Sequence, residues 1–250
     1  MKIVVIGGTG LIGSKLVAKL VARGHEALAA SPNSGVNTVT GQGLREALVG
    51  ASTVVDVSNS PSFEDGPVLE FFTKSTKNLL TEGAVAGLKH YVALSVVGTD
   101  RLQDTGYFRA KAAQEQMIKA GSIPYTIVRA TQFFEFAKGI ADSSTQGDTV
   151  LLPPIFLQPL AADDVAQAMA DAVLGPPVNG TIEVAGPEMF RIDDFVRQGL
   201  VARKDPREIV VDANAPYFGG KPDARAYLPG DAPRTGAIRF SDWLRQSAAH

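Results

Sequence analysis

The 250-residue chain is 45% hydrophobic and 20% charged, which is enough apolar material for one sizeable core and too much for a disordered segment. Its formal charge of −2 comes from interspersed acids and bases without a basic stripe, so a nucleic-acid partner is not expected. With no cysteine and only His25, His90 and His250, thiolate, disulfide and histidine-metal chemistry lack their residues; no apolar run approaches about eighteen residues, so the reading is a cytoplasmic protein with no membrane partner.

The first predicted element is a β-branched strand, Lys2–Ile6, that runs straight into GGTGLIGSKL and a helix over Leu11–Arg23. Gly7, Gly10 and Gly13 lie three apart. Glycines at this place let the chain turn sharply, let backbone approach a pyrophosphate and let helix pack on strand, while the helix N-terminus presents N–H groups to the anion. Thr9, Leu11 and Ile12 are expected to add backbone donors or line the cleft. The second strand, Glu26–Ala30, ends in LAASPNSG with no acid to hold a ribose 2′-hydroxyl. Ser31, Asn33 and Ser34 can hydrogen-bond a 2′-phosphate, so the expected cofactor is NADP, with NAD the alternative; a plain polar turn at Pro32 explains the same residues.

A short helix over Gly43–Val49 leads to a third strand, Thr53–Val57, whose end, VVDVSNSP, puts Ser58 and Asn59 beside the expected cofactor or in an ordinary turn. After a long helix, Val68–Ala86, which serves as a covering helix or as a dimer face, comes a fourth strand, His90–Ser95, and a helix over Tyr107–Ala120. Tyr107 and Lys111 are four apart and share a face of that helix. Ala112, Glu115, Gln116 and Lys119 form its polar face, with Glu115 and Lys119 read as a surface pair. The fifth strand, Tyr125–Arg129, is followed by Thr131 and Gln132, placed beside a nicotinamide, and by Phe133, Phe134 and Phe136, read as core with one or two lining an apolar cleft.

Strands and helices in alternation predict an α/β fold, a doubly wound parallel sheet. Further helices fall near Ala162–Leu174, with Asp163-Asp164 an acidic helix start, and near Asp193–Arg203. From Pro153 the texture turns proline- and glycine-rich. The division read from this is a dinucleotide-binding core over 1–152, completed by 161–185 through a returning strand at Gly180–Ala185, and a small substrate-capping part over 186–250. Tyr217, Phe218 and Gly219-Gly220 suggest a lid.

Ser95, Tyr107 and Lys111 downstream of GGTGLIG resemble the short-chain dehydrogenase/reductase superfamily. The stretches GGTGLIGSKLVAKLVARGH, AGLKHYVALS, KAAQEQMIKAGSIPYTIVRATQF and PLAADDVAQAMADAVLGP are similar to its atypical, NmrA-like group. The resemblance implies a Rossmann core binding NADP(H) or NAD(H), a catalytic set of Ser95, Tyr107 and Lys111, and a second role for Lys111 on the nicotinamide ribose. It also implies a choice of roles: reductase of quinones or activated double bonds, isomerase-like enzyme, or non-catalytic redox sensor. Two departures are Ala130, where many relatives have proline, and the link TVTGQGLREALVGAS, where a GD pair is more usual.

In physical terms, Tyr107 is expected to pass a proton to or from the substrate oxygen while hydride moves between nicotinamide and carbon, with Ser95 donating a hydrogen bond to the same oxygen. The substrate is expected to be a small apolar carbonyl, quinone or conjugated alkene. A free tyrosine titrates near 10, so a positive charge supplied by Lys111 and the nicotinamide is expected to lower it. The protein is read as a monomer or homodimer.

Overall fold

The computed structural model describes residues 1–220 and 223–247, so His250 lies outside the described residues. The elements are β1 (Lys2–Ile6), α1 (Leu11–Ala22), β2 (Glu26–Ala30), α2 (Leu44–Leu48), β3 (Thr53–Asp56), α3 (Asp65–Ala86), β4 (His90–Val96), α4 (Gly106–Ala120), β5 (Tyr125–Ala130), α5 (Ala137–Ser143), β6 (Thr145–Gln146), β7 (Thr149–Leu152), β8 (Phe156–Leu157), α6 (Ala162–Leu174), β9 (Gly180–Ala185), β10 (Phe190–Arg191), α7 (Ile192–Ala202), β11 (Glu208–Val211), β12 (Arg234–Thr235) and α8 (Phe240–Ser247).

One seven-stranded sheet has the order β12-β9-β5-β4-β3-β1-β2. β1 pairs in parallel with β2, Val4 opposite Leu28, and with β3, Val4 opposite Val54. β3 in turn pairs in parallel with β4. The strand order reverses at β1, and in such sheets ligands bind beyond the carboxyl ends of the strands at that reversal. The sequence pattern follows position: β3 is buried throughout, whereas edge strand β2 alternates exposed and covered residues. Helix α3 starts at Asp65, ahead of the expected Val68, because Pro67 falls in the first turn, where its missing N–H costs no helical bond.

The chain forms two compact units, Met1–Arg129 with Val165–Ile182, and Ala130–Asp164 with the residues from Glu183 onward. The boundary thus falls at the end of β5, ahead of residue 152. In the first unit Val4, Ile6, Leu44, Val54, Leu79, Tyr91, Ile118 and Ile127 belong to one buried cluster. A smaller cluster joins Val68, Phe72 and Ala110, with Phe71 and Tyr107 packed on it. In the second unit Phe134, Phe195 and Phe240 meet at ring separations of 4.7 to 6.5 Å, with Trp243 5.8 Å from Phe134. Phe134 is therefore core, while Phe133 stacks on Phe136 at 4.9 Å. Tyr217 is buried against Tyr227, and its backbone exchanges hydrogen bonds with Gly220, an anchored turn where the sequence suggested a lid. No helix among the described residues is long and apolar enough to cross a membrane.

His90, at the start of β4, is buried with its Nε2 2.9 Å from Thr126 Oγ1, which also accepts the Val178 N–H at 3.1 Å. All three groups are satisfied if Thr126 donates to a neutral imidazole. Burial pushes the His90 pKa down to about 4. Between the ordinary value of about 6.5 and this one, the unfolded chain binds a proton that the folded chain refuses. Stability attributable to His90 is therefore complete above that window and is lost as pH falls through it. Thermal melts taken from pH 7 down to 5 should show a falling midpoint, and His90→Gln should flatten that dependence; equal slopes in both proteins would rule His90 out.

Candidate active site

The turn after β1 is built by glycines that no other residue can replace. Gly7 takes φ +76°, and a Cβ there would stand 2.9 Å from the Cα of Ser58, so the turn after β1 and the turn after β3 pack backbone to backbone. A Cβ on Gly13 would lie 2.1 Å from the Gly7 carbonyl oxygen. This contact lets α1 seat directly on the loop. Gly10 occupies the N-cap without a capping side chain, and no acidic residue stands in the first turn. The first-turn N–H groups of Leu11, Ile12 and Gly13 have no intrahelical acceptor. Together they form an uncapped, acid-free helix N-terminus beside a close-packed glycine turn, which fits a dinucleotide pyrophosphate. Thr9 and Leu11 are exposed and Ile12 is buried.

At the end of β2, Ser31, Pro32 and Ser34 form a self-bonded turn. Ser34 Oγ accepts the Ser31 N–H at 2.9 Å and lies 3.0 Å from the Ser31 carbonyl, so the Ser34 hydroxyl is used within the turn. Asn33 is exposed. Gln132 is in the second unit, buried, and its Oε1 has no hydrogen-bond partner there among the described residues.

Helix α4 brings Tyr107 and Lys111 to its inner side. Tyr107 is half-buried among Phe63, Phe72 and Phe108, at ring separations of 5.6, 6.1 and 5.9 Å. Burial pushes its phenol up to about 12, above the ordinary value, so it is a neutral hydroxyl at any physiological pH. The expected lowering by Lys111 is not found, because the ammonium is turned inward. Lys111 is 2% exposed; its Nζ donates to the Leu94 carbonyl at 2.9 Å and to Gln114 Oε1, and lies 4.4 Å from the centre of the Phe72 ring. Burial pushes the Lys111 pKa down to about 8, opposed by the charges of Asp56 and then Glu115.

Ser95 is buried and gives its only proton to Glu115 Oε1 at 2.7 Å. Glu115 is not the surface residue that helix periodicity suggests. It is 2% exposed, and Arg129 from β5 grips it with bonds of 2.9 and 2.8 Å, with Lys119 at 3.2 Å and Asp100 on the far side of Arg129. Burial works against this carboxylate, but the bonds from Arg129, Ser95 and Lys119 prevail and hold its pKa below the usual range. The pair joins α4 to β5. Asp56 is the other residue that pattern reading passes over: a carboxylate in the buried strand TVVD, accepting the Ser58 N–H at 3.0 Å and the Ser58 hydroxyl at 2.6 Å. A charged residue closing a strand whose pattern predicts burial on both faces was the available signal.

The NAD(P)H-binding family model matches residues 7–176. The chain is 26% identical over 222 residues to the divinyl chlorophyllide a 8-vinyl-reductase of Cucumis sativus, covering 74% of this chain and 52% of that protein. It is 23% identical over 164 residues to the photosystem II assembly factor Ycf39 of Cyanophora paradoxa, covering 58% and 51%. It thus spans about half the length of these relatives. Among solved structures, the UDP-glucose 4-epimerase of Thermus thermophilus in complex with NAD matches with a TM-score of 0.76 at 17% identity, over 100% of this chain and 98% of that one. RMD from Pseudomonas aeruginosa, complexed with NADPH, matches at 0.70 and 14%, over 99% and 97%. At these identities the likeness is one of fold. With the family match covering the glycine turn, α4 and all of α6, the chain belongs to the NAD(P)H-binding family and shares the fold of these nucleotide-bound structures.

Proposed function

We propose that the protein is an NADP-dependent oxidoreductase that reduces a small apolar carbonyl, quinone or conjugated alkene, with Tyr107 as proton donor and Lys111 as its electrostatic partner. The observation that carries this reading is the burial of Lys111 beside Tyr107. A lysine is almost never fully buried without a reason, and four residues from a half-buried phenol it does not serve the helix's solubility. When bound, the nicotinamide supplies the hydride. Tyr107, neutral at working pH, then gives its proton to the substrate oxygen or carbon, and the Lys111 ammonium stabilises the negative charge that this leaves only by turning from Leu94 and Gln114 toward the phenol. Phe63, Phe72 and Phe108 around the phenol favour an apolar substrate. The Gly7–Gly13 turn and α1 would hold the pyrophosphate, with Thr9 and Ser58 beside it and Lys111 on the ribose. The acid-free end of β2 at Ser31 and Asn33 favours NADP over NAD. The vinyl-reductase named among the relatives lends weight to the alkene class.

A second reading, a binding protein that senses the NADP(H) redox state, has its own support: the Ser95 proton is spent on Glu115, and the Lys111 ammonium is fully engaged. On the enzymatic reading Ser95 reaches a substrate only by leaving Glu115. Titration with NADPH and then NADH, followed by nicotinamide fluorescence, separates these cases when combined with an acceptor screen of quinones, enals and enones. NADPH binding with turnover of an acceptor is expected. Tight, redox-discriminating binding without hydride transfer to any acceptor would favour the sensor, and no binding of either nucleotide would sink both.

A further inference from the structure

We propose that Asp56 and Gln114 are positioning residues for Lys111, a buried relay that sets the place of its ammonium and ties it to the Ser58 turn beside the glycine loop. The importance of Lys111 rests on the function proposed above, but the relay itself does not.

The argument begins with the donors and acceptors. Asp56 stands at the end of β3, and its carboxylate accepts on both oxygens. Oδ1 takes the Ser58 N–H and hydroxyl, while Oδ2 takes Gln114 Nε2 at 2.9 Å and the Tyr91 hydroxyl at 3.4 Å. A carboxylate can only accept, so the Gln114 amide has one workable orientation, Nε2 toward Asp56. Its Oε1 must then face the other way, where Lys111 Nζ donates to it. The lysine completes its ammonium with the Leu94 carbonyl and the face of Phe72. Asp56, Gln114 and Lys111 are each at most 2% exposed. In so dry a place an unpaired charge on either end is costly, and the amide carries the pairing across the gap.

The charges that act on Lys111 are Asp56 from β3 and Glu115 from its own helix, while α3 offers Phe72, which does not titrate; of the nearby phenols, Tyr91 on β4 meets Asp56 and Tyr107 on α4 packs on Phe72. Of these, Asp56 does most to keep the ammonium charged against burial. The other end of the relay reaches the cofactor turn. Ser58, held twice by Asp56, is the residue against which Gly7 packs at backbone distance. The carboxylate thus fixes the turn beside the glycine loop and the lysine on α4 from a single point.

The test is a pH titration of the intact protein, without added nucleotide, by NMR of 13Cε-labelled lysines, with the Lys111 signal assigned from Lys111→Met. The wild-type midpoint is expected at about 8. Asp56→Asn removes the counter-charge, and Gln114→Leu removes the acceptor while leaving the Asp56 hold on Ser58; each should lower the midpoint by about one pH unit or more. Tyr91→Phe removes only the long 3.4 Å bond to Asp56 Oδ2, keeps Asp56, Gln114 and Lys111 themselves, and should leave the midpoint in place. If Asp56→Asn does not fold, Gln114→Leu decides alone. An unchanged midpoint in Gln114→Leu, or an equal shift in Tyr91→Phe, overturns the relay. Because no nucleotide is needed, a wild-type protein that fails to bind NADPH would defeat the proposed function and leave this result standing.

Discussion

Tyr107→Phe is expected to lower turnover by a factor of about 10²–10⁴, the usual worth of a positioned general acid, while NADPH affinity changes by less than about twofold. The ring stays, so its packing on Phe63, Phe72 and Phe108 stays with it, and only the proton is removed. The pH profile adds a second check. With the phenol pushed up to about 12, Tyr107 remains protonated across the range in which turnover would be assayed. The group that titrates inside that range is Lys111, at about 8. The rate should therefore decline as pH rises through that value, because the ammonium that stabilises the transferred charge is lost, and it should be level on the acid side down to about pH 6. Unchanged turnover in Tyr107→Phe would remove Tyr107 as the acid and move the chemistry to Lys111 or to binding alone.

Gly13→Ala is expected to abolish nucleotide binding and to destabilise the fold by about 3 kcal/mol or more. Its new methyl would sit 2.1 Å from the Gly7 carbonyl oxygen and 2.6 Å from the Gly8 Cα. Both are backbone atoms of the turn, so no side chain can swing aside. Relief requires α1 to lift off the loop, and that carries away the N–H groups proposed to hold the pyrophosphate. Gly66→Ala is the matched control: nothing lies within 4 Å of its Cβ, it lies in the first turn of α3, and the change should be neutral or stabilising by up to about 1 kcal/mol. Urea unfolding and NADPH fluorescence titration of both variants read the two effects. A stable Gly13→Ala protein with normal NADPH affinity would show that this turn is not the nucleotide site.

Local pattern carried most of the first unit. Continuous β-branched runs such as KIVVI can bury both faces only inside a parallel sheet, and the glycine spacing before α1 has few other uses, so strand positions and the turn were legible to within a residue or two. The pattern was weaker after β5. Phe133, Phe134 and Phe136 look alike in sequence, yet one is core and two stack on each other with Phe136 exposed, because α7 and α8, sixty and a hundred residues later, supply the partners of Phe134.

By itself the sequence determined the α/β alternation, the dinucleotide turn and the pairing of Tyr107 with Lys111 on one helix, all features set by spacing within a few residues. Tertiary structure alone decided what the charges do. Helix periodicity puts Glu115 with Lys119 on the surface, but Arg129, fourteen residues on in β5, draws Glu115 inside and takes the Ser95 proton with it. Spacing also suggests that Lys111 acidifies Tyr107, but Asp56, fifty-five residues earlier, turns the ammonium inward through Gln114. The physical reason is the same in both cases. A buried charge must find a partner whatever its distance along the chain, and only the packing of strands against helices shows which partner is within reach.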